Sequence, residues 1–200
     1  IIPGSKNTRA DLDWLHRQGW TAALQSFAAS GGYILGICGG YQMLGNWVDD
    51  PSGIEGRPGV SDGLGLLPVE TTLEEPKTTT LTQFRWHHLT GGGYEIHMGQ
   101  TVRTGGSPAF EIVDRNGPGG GAKDDGCISE DGRIMGTYLH GMFDSPDITE
   151  RWLRTIGLSD ITVEMQHGLL ERDQAYDALA THFRDHIDTT KILQVIEKNV

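Results

Sequence analysis

One segment restricts the fold of this chain more than any other. The apolar run Tyr33-Ile34-Leu35-Gly36-Ile37 is followed at once by Cys38-Gly39-Gly40 and by residues 41–45, which read as the start of a helix. A short run that is apolar throughout is typical of a strand buried on both faces of a sheet. The pattern therefore predicts a sharp strand-to-helix turn with a cysteine at its tip. Such a turn exposes the sulfur at the carboxyl edge of the sheet, where open α/β sheets bind their ligands.

The segments before this turn predict a βαβ unit. Ile1-Ile2 reads as the end of a strand, and residues 3–8 read as a tight loop. Asn7 or Thr8 can cap a helix over residues 10–29 that Gly19 breaks into two pieces. A strand, a helix and a second strand in this order imply a parallel sheet. We also expect the beginning of the domain to be missing from this sequence, because the chain opens inside what reads as a strand.

The remainder of the chain mixes short β-like runs with loops and ends in helices. The predicted strands are residues 66–73, 81–86, 94–98, 109–114 and 126–130, with a further buried strand over 133–139 that ends at His140. Residues 116–125 read as a surface loop, since they lack the GK[ST] ending of a phosphate loop. A helix is predicted over 146–156, and one final helix of ~20–25 residues is predicted from about 171. The apolar side chains expected to pack the last helix are Ala175, Leu179, Phe183, Ile187, Ile192, Val195 and Ile196.

Composition excludes several classes of function. The formal net charge is −11, which disfavours a general binder of nucleic acids or anionic membranes. No apolar run approaches the ~20 residues of a membrane-spanning helix. Cys38 and Cys127 form no CxxC and no metal-ligand pattern, so no metal site is predicted, and a cytoplasmic protein with free thiols is the default expectation. We expect one domain over residues 1–200, with 157–200 as a helical extension.

Cys38 and His140 are the best candidates for chemistry. The start of a helix favours a thiolate and is expected to lower the pKa of Cys38, and the Gly39 amide could stabilise an oxyanion. His140 also ends a buried strand and precedes a glycine, so two strand ends on one sheet edge can bring a thiol and an imidazole together. The alternative is that Cys38 is simply a small buried apolar residue, which is the commonest role of a free cysteine.

These residues resemble a known family. Gly36-Ile37-Cys38-Gly39-Gly40-Tyr41-Gln42 is similar to the GxCxGxQ nucleophile turn of class I (triad-type) glutamine amidotransferases. Three further segments resemble the amidotransferase domain of the cobyric acid synthase family: Ile2-Pro3-Gly4-Ser5-Lys6-Asn7-Thr8, Gly93-Tyr94-Glu95-Ile96-His97-Met98-Gly99 and Gly136-Thr137-Tyr138-Leu139-His140-Gly141-Met142-Phe143-Asp144. The resemblance implies a flavodoxin-like three-layer α/β sandwich with a largely parallel central sheet, here truncated at its N-terminus.

The resemblance also implies a mechanism. Cys38 attacks the side-chain amide of glutamine, His140 moves the proton to the departing ammonia, and water hydrolyses the glutamyl thioester. The implied oxyanion- and substrate-binding residues are Gly4, Gly39, Gly40 and Gln42, although Gln42 could equally serve in capping or packing. The ammonia then amidates side chains b, d, e and g of adenosylcobyrinic acid a,c-diamide in cobalamin biosynthesis.

The implied partners lie outside this chain. No GxxxxGK[ST] occurs in the sequence, so we expect ATP and Mg²⁺ to bind an N-terminal synthetase domain of the same polypeptide, which also holds most of the corrin substrate. No cofactor is expected on the chain itself. The partners expected here are glutamine and that synthetase domain, without nucleic acid or membrane.

One departure from the amidotransferase pattern leaves the third member of any triad open. Most triad members carry Glu two residues after the histidine, and here that position is Met142. Glu95, His97 and Asp144 are candidates for orienting His140 or bordering the site, and the first two share one face of a predicted strand. Two alternatives therefore stay open. One is an amidotransferase of cobyrinic acid a,c-diamide synthesis or cell-wall lipid amidation, and the other is a catalytically silent docking module.

Overall fold

The computed structural model describes residues 1–116, 123–163 and 168–197, which form a mixed α/β structure. The helices are α1 (Thr8–Arg17), α2 (Trp20–Ala29), α3 (Gly39–Leu44), α4 (Pro146–Thr155), α5 (Gly168–His186) and α6 (Thr189–Glu197). The strands are β1 (Ile34–Ile37), β2 (Trp47–Asp50), β3 (Gly59–Asp62), β4 (Val69–Thr72), β5 (Thr78–Trp86), β6 (Leu89–His97), β7 (Gln100–Arg103), β8 (Phe110–Asn116), β9 (Asp124–Asp125), β10 (Cys127–Ile128), β11 (Ile134–Thr137) and β12 (Leu139–His140). A 3-10 turn, Met142–Asp144, precedes α4.

The predicted interruption of the first helix is confirmed. Asn7 caps α1, because its side-chain oxygen accepts a hydrogen bond from the amide of Ala10 at 3.0 Å. The chain leaves α1 at Gln18 and begins α2 after Gly19, whose φ of 78° is left-handed. The predicted helix 146–156 is also confirmed as α4, with Pro146 in its first turn.

The central sheet carries the nucleophile. Ile2 bridges Gly36 of β1 in parallel, and β1 pairs with β11 in parallel from Ile34–Ile134 to Ile37–Thr137. The antiparallel β10 completes the sheet. The predicted α/β class is confirmed. Among the described strands, only β1–β11 and β2–β4 pair in parallel, apart from the Ile2 bridge. The expectation of a largely parallel central sheet is therefore met only in part.

Two further sheets frame the central one. The first has the order β3-β2-β4-β7, and the second has the order β12-β6-β5-β8-β9. The second sheet positions the histidine, because β12 pairs with β6 and places His140 opposite Tyr94 and Leu139 opposite Glu95. Strands β2, β3 and β7 were not anticipated. The expected loop 116–125 was wrong at its end, because Asp124–Asp125 pair with β8, and residues 117–122 lie outside the described part.

The core is divided between two faces of the central sheet. One cluster gathers around α3 and includes Tyr41, Leu44 and Tyr138, with the two tyrosine rings edge to face at 5.2 Å. The other packs under the hairpin of β5 and β6, where Phe84 and Phe110 meet. Burial of each large apolar side chain in these clusters contributes roughly 1.5–3 kcal/mol to the stability of the folded state.

The prediction of one long final helix was wrong. The helix divides between α5 and α6, and Asp188 starts the second one by accepting a hydrogen bond from the amide of Lys191 at 3.1 Å. The side chains expected on the packed face are exposed: Ala175, Leu179, Phe183, Ile187, Ile192 and Val195. The side chain of Ile196 lies outside the described part. Across residues 1–116, 123–163 and 168–197, no helix has the length and apolarity needed to span a membrane.

Candidate active site

Cys38 stands on the turn between β1 and α3 with a left-handed backbone. Its φ is 54° and its ψ is −114°, whereas most non-glycine residues avoid positive φ. Such a conformation costs on the order of 1–3 kcal/mol, so the surrounding structure must hold it in place. The hydrogen bond from the Cys38 amide to the Thr137 carbonyl, at 2.8 Å, ties the turn to the end of β11.

Glycines let the turn pack closely against the loop that follows Ile2. A Cβ on Gly40 would stand 2.1 Å from the carbonyl oxygen of Ile2, and a Cβ on Gly39 would stand 2.8 Å from the amide nitrogen of Ser5. Both atoms belong to the backbone and cannot move aside cheaply. The two segments that the sequence analysis assigned to an oxyanion site are therefore in direct contact.

The thiol of Cys38 is buried and protonated at rest. Its side chain is 8% exposed, and Sγ donates to the carbonyl oxygen of Ile96 at 3.5 Å. Burial raises the pKa of the thiol, and this effect outweighs the Gly39 amide and the positive charge of Lys77, which lower it. The amide of Gly39 at the start of the helix does lower this pKa, as expected, but burial makes the net pKa higher than that of a free cysteine. A base is therefore needed to generate the thiolate.

The structure brings Cys38 and His140 together across Gly4. A Cβ placed on Gly4 would lie 3.4 Å from Cβ of Cys38 and 3.5 Å from Cε1 of His140. Both side chains therefore flank one glycine of the Pro-Gly-Ser loop. The predicted proximity of Cys38 and His140 is observed, but the prediction that both end strands of one sheet was wrong. The strand expected over residues 133–139 divides into β11 of the central sheet and β12 of the second sheet, and His140 ends β12.

His140 is half-buried and lacks a partner at one nitrogen. Its ring stacks on Tyr94, with centroids 5.0 Å apart and an angle of 8° between the planes. Its Nε2 is buried and has no hydrogen-bond partner among the described residues. Burial, followed by the charge of His97, lowers the pKa of His140. The imidazole is therefore neutral at physiological pH and able to accept a proton.

Gln42 is a structural connector rather than an open substrate group. Its Oε1 accepts from the Thr8 hydroxyl at 3.0 Å, and its Nε2 donates to the Met98 carbonyl and the Tyr138 hydroxyl, both at 3.0 Å. The side chain is 3% exposed. These bonds join α3 to α1, to the residue that follows β6 and to the chain before His140, so the packing alternative raised above fits the geometry best.

The buried side chains of Glu95 and His97 lie against each other beside Cys38 and His140. Oε2 of Glu95 lies 3.7 Å from Nε2 of His97, and Oε1 accepts from Arg115 at 2.9 Å and from Thr82 at 3.1 Å. Burial raises the pKa of Glu95, but the bonds from His97 and Arg115 lower it more, and the net pKa is below its usual range. The expectation that both residues share one strand face is confirmed.

A polar cavity adjoins this pair. It has a volume of about 650 Å³ and is open to solvent along β5 and β7. Glu95, His97 and Tyr138 form part of its wall, with Lys77 and Asp125 nearby. Cys38 and His140 are not among its lining residues. The cavity is therefore lined by Glu95 and His97 and not by the two candidate catalytic residues.

Asp144 lies near His140 in sequence, but among the described residues no hydrogen bond or ion pair joins its carboxylate to the His140 ring. A Cβ on Gly141 would stand 3.2 Å from a carboxylate oxygen of Asp144, and the amide of Asp144 bonds the Gly141 carbonyl at 3.0 Å. Met142, at the usual position of the triad glutamate, is buried with 1% exposure. Of the three candidates, Glu95 and His97 lie beside the dyad.

Sequence reasoning missed Asp125, which had been placed in a loop. The carboxylate is fully buried and accepts hydrogen bonds from the Thr137 hydroxyl and from the amide of Tyr138 at 3.2 Å. Burial raises its pKa to about 6. The residue holds the bend between β11 and β12 and so supports His140. No motif surrounds it, and only its burial in three dimensions reveals it.

The described His, Cys, Asp and Glu side chains form no cluster of three or more that could hold a metal ion. Cys127 has no exposed surface and packs in the core around α3. His182 and His186 stack on each other on an exposed face of α5.

Comparison with known proteins gives one family and many close relatives. Residues 1–148 match the CobB/CobQ-like glutamine amidotransferase domain. A cobyric acid synthase of Chlorobium phaeobacteroides is 42% identical over 200 residues, and one of Chlorobaculum tepidum is 44% identical over 200 residues. A cobyric acid synthase of Rhodobacter capsulatus is 43% identical over 197 residues. The matches cover 96–99% of this chain but only 39% of each relative.

A solved structure supports the fold. A crystal structure of a glutamine amidotransferase aligns with a TM-score of 0.54, at 15% identity, over 78% of both chains. At this identity the likeness concerns the fold alone. The family assignment rests instead on the match of the amidotransferase domain to residues 1–148.

Proposed function

We propose that this chain, which belongs to the CobB/CobQ-like glutamine amidotransferase family, hydrolyses glutamine through a thioester on Cys38 and releases ammonia for an amide-forming reaction. The observation that carries the proposal is the placement of Cys38 and His140 on either side of Gly4. The thiol is buried on a turn whose backbone has positive φ, and a neutral imidazole lies on the other side of Gly4. This is the arrangement of a nucleophile and its base.

The first step uses both side chains. His140 accepts the thiol proton as the Cys38 sulfur attacks the amide carbon of glutamine. The negative charge that develops on the amide oxygen is stabilised by backbone amides, for which Gly39 and Gly4 are the candidates. His140 then gives the proton to the departing nitrogen, so ammonia leaves and a glutamyl thioester remains. Water cleaves the thioester and releases glutamate.

We infer that the ammonia serves the reaction of a cobyric acid synthase. The relatives named above carry this name, and the chain spans about 39% of their length. The remaining length would contain the part that binds ATP and Mg²⁺ and the corrin substrate, since this chain has no GxxxxGK[ST] phosphate loop. In this scheme the acceptors are side chains b, d, e and g of adenosylcobyrinic acid a,c-diamide.

Covalent labelling tests the glutaminase proposal directly. A diazo-ketone analogue of glutamine alkylates an activated thiol in a formed glutamine pocket, and intact mass with peptide mapping locates the label. We expect one label per chain, on Cys38, that glutamine blocks and that the Cys38→Ser variant lacks. Labelling only in a longer polypeptide would mean that the rest of the protein completes the pocket. Absence of labelling in both would refute the glutaminase and favour a silent docking module.

A further inference from the structure

Glu55, in the loop between β2 and β3, carries a carboxylate that the reaction steps above do not use. Two hydrogen bonds fix its backbone: the Glu55 amide donates to Oδ2 of Asp50 at 2.8 Å, and the side-chain amide of Asn7 donates to its carbonyl oxygen at 3.1 Å. One carboxylate oxygen lies 3.3 Å from the Thr8 hydroxyl, and the other accepts from the Arg9 amide at 3.2 Å. The side chain is therefore held against the first turn of α1.

The same contacts place Glu55 beside the turn that carries the candidate nucleophile. The Thr8 hydroxyl also lies 3.0 Å from Oε1 of Gln42 in α3, and a Cβ placed on Gly39 would stand 3.2 Å from that hydroxyl oxygen. Only Thr8 therefore stands between the Glu55 carboxylate and Gly39, the residue that follows Cys38. The negative charge of Glu55 reaches the thiol, because it contributes to the raised pKa of Cys38.

The Glu55 carboxylate is partly buried and has no cationic partner in the part of the chain that the structure describes. The guanidinium of Arg9 lies instead 3.6 Å from the carboxylate of Asp50. Burial raises the pKa of Glu55, and hydrogen bonds from the Arg9 amide and from Thr8, rather than a positive charge, oppose that rise. An ionised carboxylate offers about four acceptor positions, so positions remain open for a bound cation.

Two other carboxylates near this turn already have their partners. Glu95 accepts hydrogen bonds from Arg115 at 2.9 Å and from Thr82 at 3.1 Å. Asp125 is fully buried and bonded to the Thr137 hydroxyl. Glu55 is therefore the carboxylate best placed to receive a positively charged group of a substrate.

Glutamine brings such a group to the turn. Its reacting end is an ordinary primary amide, whereas its other end carries an α-ammonium and an α-carboxylate. Four bonds of ~1.5 Å separate the ammonium nitrogen from the amide carbon, so the two atoms lie about 5 Å apart in an extended molecule. The partner of the ammonium must therefore stand beside the nucleophile turn and not on it, which is the position of Glu55 behind Thr8.

We propose that Glu55 binds the α-ammonium of glutamine and so makes the site select glutamine over primary amides that lack this group. The proposal rests on the glutaminase function above. Glu55 acts here in binding and not in the chemical steps. Because the ammonium is equally present in the bound substrate and in the transition state, its loss raises KM and leaves kcat nearly unchanged.

Glutaramate, which is glutamine without its α-amino group, tests this assignment. Ammonia release from each substrate is measured in the polypeptide in which the diazo-ketone labels Cys38. Glu55→Gln keeps the shape of the side chain and an oxygen acceptor for the Arg9 amide. We expect this variant to lower kcat/KM for glutamine at least ~10-fold, mainly through KM, and to change kcat/KM for glutaramate less than about twofold. The matched control is Glu130→Gln, since Glu130 is exposed on the turn between β10 and β11, and it is expected to change neither value.

Alkylation of Cys38 gives a second readout that needs no turnover. The diazo-ketone analogue of glutamine carries the α-ammonium, and iodoacetamide carries none. We expect Glu55→Gln to slow labelling by the first reagent at least ~10-fold and to leave the rate with iodoacetamide within about twofold of wild type, because only the first reagent loses a charge-assisted contact. A merely structural role would change both rates together.

Equal changes for glutamine and glutaramate, or for the two alkylating reagents, would overturn the proposal, and so would unchanged kinetics in Glu55→Gln. If Glu55→Gln does not fold, the same comparison is made with Glu55→Asp, which keeps the charge but withdraws it from the site and is expected to lose activity toward glutamine alone. Failure of the glutaminase itself would appear separately, as absence of ammonia release from glutamine in the wild-type protein.

Discussion

The structure buries both cysteines of the chain, yet it gives them different surroundings. Cys38 is 8% exposed and Cys127 is not exposed, and in each case burial raises the pKa of the thiol. Cys127 lies in strand β10 with an ordinary backbone, paired with Gly136. Cys38 has a left-handed backbone at a strand end, with His140 across Gly4. Because burial raises the pKa of both thiols, we expect backbone geometry and the nearby imidazole to distinguish Cys38 from Cys127 in reactivity.

The largest expected effect separates the two cysteines directly. Cys38→Ser is expected to lower glutamine hydrolysis at least ~10³-fold, because the hydroxyl replaces the only atom that can form the thioester. Cys127→Ser is expected to leave the rate per folded molecule unchanged and to lower the free energy of unfolding by roughly 1–3 kcal/mol, since it buries a hydroxyl. Steady-state glutaminase assays and urea unfolding measure the two quantities. Equal loss of activity in both variants would remove the distinction.

The turn at Cys38 is expected to depend on close backbone packing. In Gly40→Ala the new Cβ meets the carbonyl of Ile2 at 2.1 Å, so the backbone must shift at a cost of roughly 3 kcal/mol. Gly92→Ala is the matched control, because its Cβ would meet nothing within 4 Å, and its effect is expected to stay within about 1 kcal/mol. Urea denaturation compares the two. A control variant as unstable as Gly40→Ala would contradict this account.

Asp125, two residues before Cys127, is expected to make the free energy of unfolding depend on pH. Asp125 has a pKa of about 6 in the folded chain, against ~3.9 for an exposed aspartate. The folded state therefore binds the proton more tightly, and the stability that this contributes is present below about pH 4 and lost as the pH rises through 6. The loss is roughly 2–3 kcal/mol and should be absent in Asp125→Asn. Unfolding of both proteins between pH 4.5 and 7.5 gives the difference, and parallel curves would contradict the prediction.

The smallest expected effect concerns the base next to Cys38. Burial, with a contribution from His97, lowers the pKa of His140, and Tyr94 covers one face of its ring. Tyr94→Ala exposes the imidazole, so its pKa rises toward the ordinary value and the acidic limb of kcat/KM moves to higher pH by a few tenths of a unit. Tyr176→Ala, on an exposed part of α5, serves as control. An unchanged limb in Tyr94→Ala would show that the ring does not desolvate His140.

Sequence patterns predicted the elements whose signals are local. The break at Gly19, the start of α1 at Asn7 and the turn at Cys38 follow from capping, glycine and apolar-run rules, and the structure confirms them. The pKa of Cys38 could not be predicted in this way. The helix start acts within one turn and is visible in the sequence, whereas the burial that outweighs it depends on β6 and on residues distant along the chain.

The last helices show the same limit of prediction from local sequence patterns. Apolar spacing predicted a packed face around Leu179 and Phe183, but in the structure these side chains are 61% and 46% exposed. Spacing along a helix identifies an apolar stripe, and it does not identify the surface against which the stripe packs.

The sequence by itself determined the candidate nucleophile, its turn and the candidate histidine, because the signal for each lies in residues adjacent in the chain. Only the tertiary structure decided that Glu95 lies against His97 and that Asp125 supports the bend before His140. It also decided that the side-chain amide of Gln42 is hydrogen-bonded inside the protein. The contacts of Gln42 and Asp125 join positions 12 to 96 residues apart in the chain, whereas Glu95 and His97 are neighbours on one face of β6. Hydrogen-bond capacity and burial are set by three-dimensional neighbours, and no local pattern encodes them.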